Sequence, residues 1–308
     1  MFLVYLIFGI LILVIIIFTY FFNLAFVRKD NVMVDDLSNK NNRFLNPYFD
    51  ILQKGMDYIE NTEHKRYEIF SFDGLRLSAR YYDRKSDKTI ILFHGYRSSA
   101  KHDFSCAVKT YIDLGFNVLL VDQRSHGLSQ GVLITFGVKE SRDVLSWVEF
   151  LNAKFSPKQI VLSGLSMGAT TVLLSLKYEM PQNVKCVDAD CGFTSPEDII
   201  KKVAKQSFKI NADIFMPILD LMCKIFGKFS IRNVSTVDTV KNSKIPVLLI
   251  HGNKDNFVPC EMSKELYESS VDNTELILVD GADHGISFLV DTPLVLGKIT
   301  QFFNKNLS

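Results

Sequence analysis

The chain has 308 residues, 47% of them hydrophobic and 22% charged, with a net charge of +1. That is long and apolar enough for one large α/β domain with additions, and the charge balance, with no basic face interleaved with aromatics, excludes a nucleic-acid partner. The five cysteines (Cys106, Cys186, Cys191, Cys223 and Cys260) are widely spaced and mostly in apolar surroundings, so they read as buried free thiols. No C-x-x-C or H-E-x-x-H occurs, so the expectation is no metal and no cofactor.

Residues 1–27 hold no charged side chain, and the first charges are Arg28-Lys29-Asp30. A helix of that length spans a hydrocarbon core, and Tyr20 near its end suits the interface. A cleaved signal peptide would want a basic start, a shorter apolar run and a small-residue cleavage site. The expectation is therefore an uncleaved single-pass transmembrane anchor. Lysine and arginine follow the span and none precedes it, which places the remainder on the cytoplasmic side by the positive-inside rule. The unpaired cysteines agree with that side. Residues 28–65 are read as a polar linker, carrying Asp35-Asp36 and Ser38-Asn39-Lys40-Asn41-Asn42, followed by one amphipathic helix over about 47–59.

Residues 67–72 and 75–82 alternate in the strand manner around Asp73-Gly74, a strong hairpin signal. Short apolar runs then alternate with helical patterns. The runs are 89–93, 117–121, 159–163, 184–188, 246–250 and 275–279, and Val144, Leu145, Val148 and Leu151 show the helical spacing between two of them. Such a pattern predicts a mostly parallel sheet covered on both faces, with the antiparallel hairpin at one edge. One connection is too long for a simple crossover. The segment at about 193–243 is too apolar for disorder and is read as a small helical cap over the strand ends, with packing and lipid contact equally open as its role.

Ligand sites in parallel sheets lie beyond the carboxyl ends of the strands. Polar residues follow every predicted strand: His94-Gly95-Tyr96 after the first, Asp122 to Gly127 after the second, Ser166 within Gly164-Leu165-Ser166-Met167-Gly168 after the third, Asp190 after the fourth, Asp255 after the fifth and Asp283-His284 after the last. A strand entering a helix through G-x-S-x-G is a tight turn that holds its serine in a strained conformation, with the helix N–H groups aimed at what the serine attacks. A nucleophilic serine needs a base and an acid to orient that base. Ser166, Asp255 and His284 occur in that order on separate strand ends.

Five motifs in this order, His94-Gly95-Tyr96, Asp122 to Gly127, Gly164 to Gly168, His251 to Pro259 and Asp283-His284, resemble the α/β-hydrolase fold over about residues 67–304, and the chain is similar to bacterial membrane-anchored serine hydrolases of the serine-aminopeptidase-like or lipase-like kind. The resemblance implies Ser166 as nucleophile, His284 as base, Asp255 as acid, and the backbone N–H groups of Tyr96 and Met167 as oxyanion hole. It implies loop-shaping roles for His94, His126 and His251. Asp190 is the rival acid, because some hydrolases draw it from the preceding strand, and Asp283 reads as a turn former. A Gly-Gly-Gly oxyanion loop is absent, which argues against the bulky-ester branch.

The domain plan is thus an anchor at 1–27, a linker with one helix at 28–65, and a hydrolase domain at 66–306 with its cap. The expected activity is hydrolysis of carboxylic esters, with acyl or lipid-like ones suggested by the apolar cap beside a membrane. The partners expected are a small-molecule or lipid-like ester and the membrane. Three alternatives remain: an acyltransferase, an aminopeptidase using Glu197 or Asp198 to capture a free amine, and a non-catalytic binding protein.

Overall fold

A computed structural model describes residues 1–29 and 45–307 of the chain. Asp35-Asp36 and Ser38 to Asn42, expected in the linker, lie outside the described residues. Eight strands form one sheet: β1 (Lys65–Phe70), β2 (Arg76–Tyr82), β3 (Lys88–Phe93), β4 (Asn117–Asp122), β5 (Gln159–Leu165), β6 (Val184–Asp190), β7 (Val247–Gly252) and β8 (Thr274–Val279). Their order is β1-β2-β4-β3-β5-β6-β7-β8. β1 and β2 run antiparallel, β2 also meets β4 antiparallel, and every pair from β4 through β8 is parallel. The mostly parallel sheet with an antiparallel edge is the expected one.

The hairpin turns where Asp73-Gly74 predicts it. The Ser71 N–H donates to the Leu75 carbonyl at 2.8 Å, and Gly74 takes φ +84°, which a side chain would resist. β7 begins at Val247, one residue later than the apolar pattern suggests, because Pro246 has no N–H for the ladder. β6 runs two residues further than expected, so Asp190 is its last residue and not part of the following loop.

Helices cover both faces of the sheet. On one face Trp147, Val148 and Leu151 of the helix Glu140–Lys154 pack with Leu173 against Ile91 and Leu162. On the other, Phe302 and Phe303 join Phe116, Ile90 and Leu92. The amphipathic helix expected near 47–59 is α2 (Phe49–Asn61), which buries Leu52, Met56 and Ile59. The Tyr82 hydroxyl locks it by donating to the Ile59 carbonyl at 3.0 Å.

Two helices project above the carboxyl ends of the strands. Pro196–Val203 continues as a wider turn through Phe208, and Met216–Met222 likewise continues through Gly227. These make the cap. The third helix of the segment, Thr236–Asn242, packs against the helices Met167–Ser175 and Cys260–Ser269 and leads into β7.

The first helix, α1 (Phe2–Phe26), is the one described helix long and apolar enough to cross a membrane, with mean hydropathy 3.1 over its best window. Its first sixteen residues lie exposed, and only its last turns touch the body. There Phe18, Phe22 and Phe26 are buried against the cap and Phe136. Burying a phenylalanine side chain is worth about 1.5–3 kcal/mol relative to exposure. Three in one seam attach α1 firmly to the domain it precedes.

Candidate active site

Gly164 and Gly168 shape the turn around Ser166. A Cβ on Gly168 would stand 1.8 Å from the Phe93 carbonyl oxygen, and one on Gly164 would stand 2.3 Å from the backbone of Gly168. Only glycines let β5, β3 and the helix Met167–Ser175 approach so closely. Ser166 itself takes φ 56° and ψ −116°, a conformation costing about 1–3 kcal/mol for a residue with a side chain. Its N–H donates to the Asp190 carbonyl at 2.8 Å, which holds the strained peptide in place.

The β-strand ends bring three side chains into line. The Ser166 hydroxyl meets His284 Nε2 at 2.9 Å, and His284 Nδ1 meets Asp255 Oδ2 at 2.7 Å. A carboxylate only accepts, so Nδ1 carries the proton and Nε2 presents its lone pair to the serine. Asp255 Oδ1 accepts the N–H groups of Phe257 and Val258, each at 2.8 Å. Burial alone would raise the Asp255 carboxyl, but hydrogen bonds from His251 and His284 outweigh it and hold the group well below the usual carboxylate range.

Sequence reasoning assigned His251 to loop shaping only. In the fold it is fully buried, and its Nε2 lies 3.2 Å from Asp255 Oδ2 and 2.9 Å from the Val258 carbonyl, while Nδ1 meets the Ser263 hydroxyl at 2.6 Å. It is a second histidine on the candidate acid. Its position four residues before Asp255, at the end of β7, is the signal that could have found it.

Asp190 is placed differently. Its carboxyl accepts from the Ser287 hydroxyl at 3.2 Å. Burial pushes it up to about 7, against the lowering charge of His251. An acid that orients an imidazolium must be ionised, and Asp255 is the one held so. Asp283 caps its own loop by accepting the N–H of Asn256 at 2.9 Å and of His284 at 2.8 Å.

The N–H groups expected to receive an oxyanion belong to Met167, which directly follows Ser166, and to Tyr96, whose neighbour Gly95 abuts Ser166: a Cβ on Gly95 would lie 3.4 Å from the Ser166 Cβ. Met167 opens its helix, so its N–H has no acceptor within that helix. The loop bearing Tyr96 is held from both sides. Asp103 accepts the Gly95 N–H at 2.7 Å and also the Ser98 hydroxyl. His126 Nε2 accepts the Arg97 N–H at 3.0 Å, and its Nδ1 donates to the Arg124 carbonyl at 2.9 Å. Burial, reinforced by His94 nearby, pushes His126 down to about 3, so it stays a neutral acceptor. Asp103 has no local motif around it and was missed. Within the Asp122 to Gly127 segment, Arg124 is buried against Asp143 at 2.6 Å and Asp73 at 3.0 Å.

The third support of that loop comes from α1. The Tyr96 hydroxyl donates to the Ala25 carbonyl at 2.7 Å, and the Arg97 guanidinium donates to the carbonyls of Leu24 at 2.7 Å and Val27 at 3.0 Å. These are the open carbonyls at the end of a helix, where a cation is also favoured by the helix dipole. Arg28 then donates to the carbonyls of Ser129 and Gly127, each at 2.8 Å.

Four of the five cysteines are buried and Cys106 is half-buried, all of them free thiols. Cys191, Asp255 and His284 place one potential metal-ligand atom each within 4.8 Å of one another. Those of Asp255 and His284 are already engaged with each other.

A serine on a strand-to-helix turn, a histidine and an aspartate on later strand ends, and a sheet of this order define an α/β hydrolase of the esterase-like kind. Residues 80–269 match the BD-FAE family model, and the chain belongs to that family. Among solved structures, the Pyrococcus furiosus esterase Pf2001 is 28% identical, with a TM-score of 0.67 over 80% of this chain and 92% of that one. The esterase RhEst1 from Rhodococcus sp. ECU1013, at 17% identity and a TM-score of 0.57 over 78% of this chain and 98% of that one, shares the fold. The Bacillus subtilis protein YqkD is 28% identical over 201 residues, which is 65% of this chain. The chain spans 66% of YqkD's length, a little under two thirds.

Proposed function

We propose that this chain is a membrane-anchored serine hydrolase that cleaves carboxylic esters with an apolar acyl part. The observation that carries the reading is the unbroken relay from the Ser166 hydroxyl through His284 to Asp255. In this mechanism Ser166 Oγ attacks the ester carbonyl as His284 Nε2 takes its proton, and the Asp255 carboxylate stabilises the resulting imidazolium. The carbonyl oxygen becomes an oxyanion received by the N–H groups of Tyr96 and Met167. The intermediate collapses, the C–O bond to the alcohol breaks, and His284 returns the proton to the leaving alkoxide. Water then repeats the sequence on the acyl-serine and frees the acid.

Esters are preferred to aminoacyl substrates on a specific observation. Glu197 is paired with Lys201 at 2.8 Å, and Asp198 accepts from the Thr194 hydroxyl at 2.8 Å, so both candidate amine-binding groups are engaged within the cap. The likeness to the Pyrococcus furiosus esterase points the same way. The apolar acyl part is argued from the cluster that begins at Met167, beside the nucleophile, and continues through Phe193, Ile199 and Met216 to Phe18, Phe22 and Phe26 of α1.

Residues 1–27 are read as the anchor, 66–306 as the catalytic domain and 193–243 as the segment bearing its cap. The catalytic domain is assigned to the cytoplasmic side, because the Arg28-Lys29 pair follows the span and is unfolded and free to act while the chain inserts. Shaving intact cells with protease should leave the domain untouched, and its removal would reverse the assignment.

Fluorophosphonate labelling of the detergent-solubilised full chain tests the mechanism. The wild type should label and Ser166→Ala should not; a folded wild type that stays unlabelled overturns the reading. Against p-nitrophenyl esters of rising chain length and a set of aminoacyl amides, the esters should turn over faster. Faster amide cleavage would favour the aminopeptidase.

A further inference from the structure

The cap presents an apolar face that the site does not use. Phe208, Ile214, Phe215, Ile218, Ile225 and Phe226 are 37–77% exposed, all on the two projecting helices and the turn between them. An exposed patch of this size and continuity calls for an occupant. Three of its rings touch α1 directly: Phe215 lies 5.7 Å from Phe18, Phe208 lies 5.4 Å from Phe21, and Phe226 lies 5.8 Å from Phe22, measured between ring centroids.

Helix length decides what that face meets. The part of α1 free of the body runs from residue 2 to residue 17. At about 1.5 Å per residue this free part rises about 24 Å. A bilayer core is about 30 Å thick, and any tilt of the helix widens the shortfall. The missing length is about one helical turn, and the next turn is Phe18 to Phe21, whose rings lean on Phe215 and Phe208. If α1 spans, that turn enters hydrocarbon and takes the cap rings beside it along.

We infer that the exposed face of the cap is a lipid-docking surface, embedded in the same leaflet into which α1 emerges. This inference rests on the anchored-hydrolase reading and adds to it a second membrane contact. The charges fit an interfacial position: Lys205, Lys209, Lys224 and Lys228 are exposed among the apolar residues, and lysines suit a headgroup layer.

Depth-dependent quenching tests it on the full chain. The chain has one tryptophan, Trp147, which is fully buried in the core, so an added one reports its own surroundings. Ile225→Trp and Phe226→Trp in the cap, Ile12→Trp in α1, and Val271→Trp ahead of β8, at the opposite edge of the sheet, are placed in nanodiscs of brominated phosphatidylcholine. Each variant is first checked for a wild-type thermal transition. The cap and α1 tryptophans should lose most of their added fluorescence, and Val271→Trp should lose none. Quenching at residue 12 without quenching at 225 or 226 overturns the docking surface and leaves the anchor intact. No quenching at residue 12 removes the anchor and the inference with it. Quenching at 271 as well would show unoriented adsorption and also overturn the inference.

Discussion

The Tyr96 hydroxyl donates a 2.7 Å hydrogen bond to the Ala25 carbonyl, across 71 positions of sequence. It ties the loop carrying one candidate oxyanion donor to the last turn of the apolar helix. Tyr96→Phe keeps the backbone N–H and removes this tie, so kcat should fall by about tenfold, the equivalent of one hydrogen bond of about 1.4 kcal/mol. Arg97→Ala removes two such bonds and should cost more. In both variants KM for a short soluble ester should stay near wild type. A change confined to KM would show that the tie serves substrate binding and not the oxyanion loop.

Asp255 and Asp190 separate cleanly by substitution. Asp255→Asn leaves His284 Nδ1 facing an amide, favours the wrong tautomer, and should lower kcat by about 10⁴-fold. Asp190→Asn should change kcat by less than about tenfold, because its carboxyl bonds Ser287 and not the imidazole. Steady-state ester hydrolysis by both variants checks this, and the larger loss in Asp190→Asn would transfer the acid role to Asp190.

The same residue predicts a pH dependence of stability. Burial pushes Asp190 up to about 7, whereas an unfolded aspartate titrates near about 3.9. Between those values the folded state keeps a proton that the unfolded state has released, so stability falls as pH rises from about 4 to about 7 and levels off above. Asp188, raised to about 6 chiefly by burial, has the same sign. Thermal transitions measured across this range should therefore slope less in Asp190→Asn than in wild type. Parallel curves would refute the raised carboxyl.

At Gly168 the expected effect is on folding. Gly168→Ala puts a methyl group into the Phe93 carbonyl, and backbone cannot swing aside as a flexible side chain could. Overpacking of this kind costs about 1–3 kcal/mol or more, so the thermal midpoint should drop by several degrees and fluorophosphonate labelling should decline with it. A variant with wild-type stability and labelling would mean that the turn is looser than drawn.

Much of the candidate site is legible because its signals are local. Gly164 to Gly168 encodes a turn through the size of two glycines, and the apolar runs place Ser166, Asp255 and His284 at strand ends without any knowledge of strand order. What those signals cannot carry is distance. Ser166 and His284 are 118 positions apart, and their 2.9 Å contact exists only because β5 and β8 stand in one parallel sheet with their carboxyl ends on the same edge. Asp103 went unread for that reason, since it lies in no motif and acquires its role from the Gly95 loop that the fold brings to it; His251 was read as shaping its loop, and only the fold shows its ring against Asp255.

The apolar helix marks the boundary most clearly. Its composition alone made residues 1–27 a candidate span and said nothing about attachment, since a run of phenylalanine and isoleucine suits lipid and protein equally. Only the tertiary structure seats Phe22 and Phe26 in the cap seam and joins the carbonyls of Leu24, Ala25 and Val27 to Tyr96 and Arg97. The residue types of a chain set which groups need burial or a hydrogen bond, and the arrangement of the sheet decides which partner meets each need.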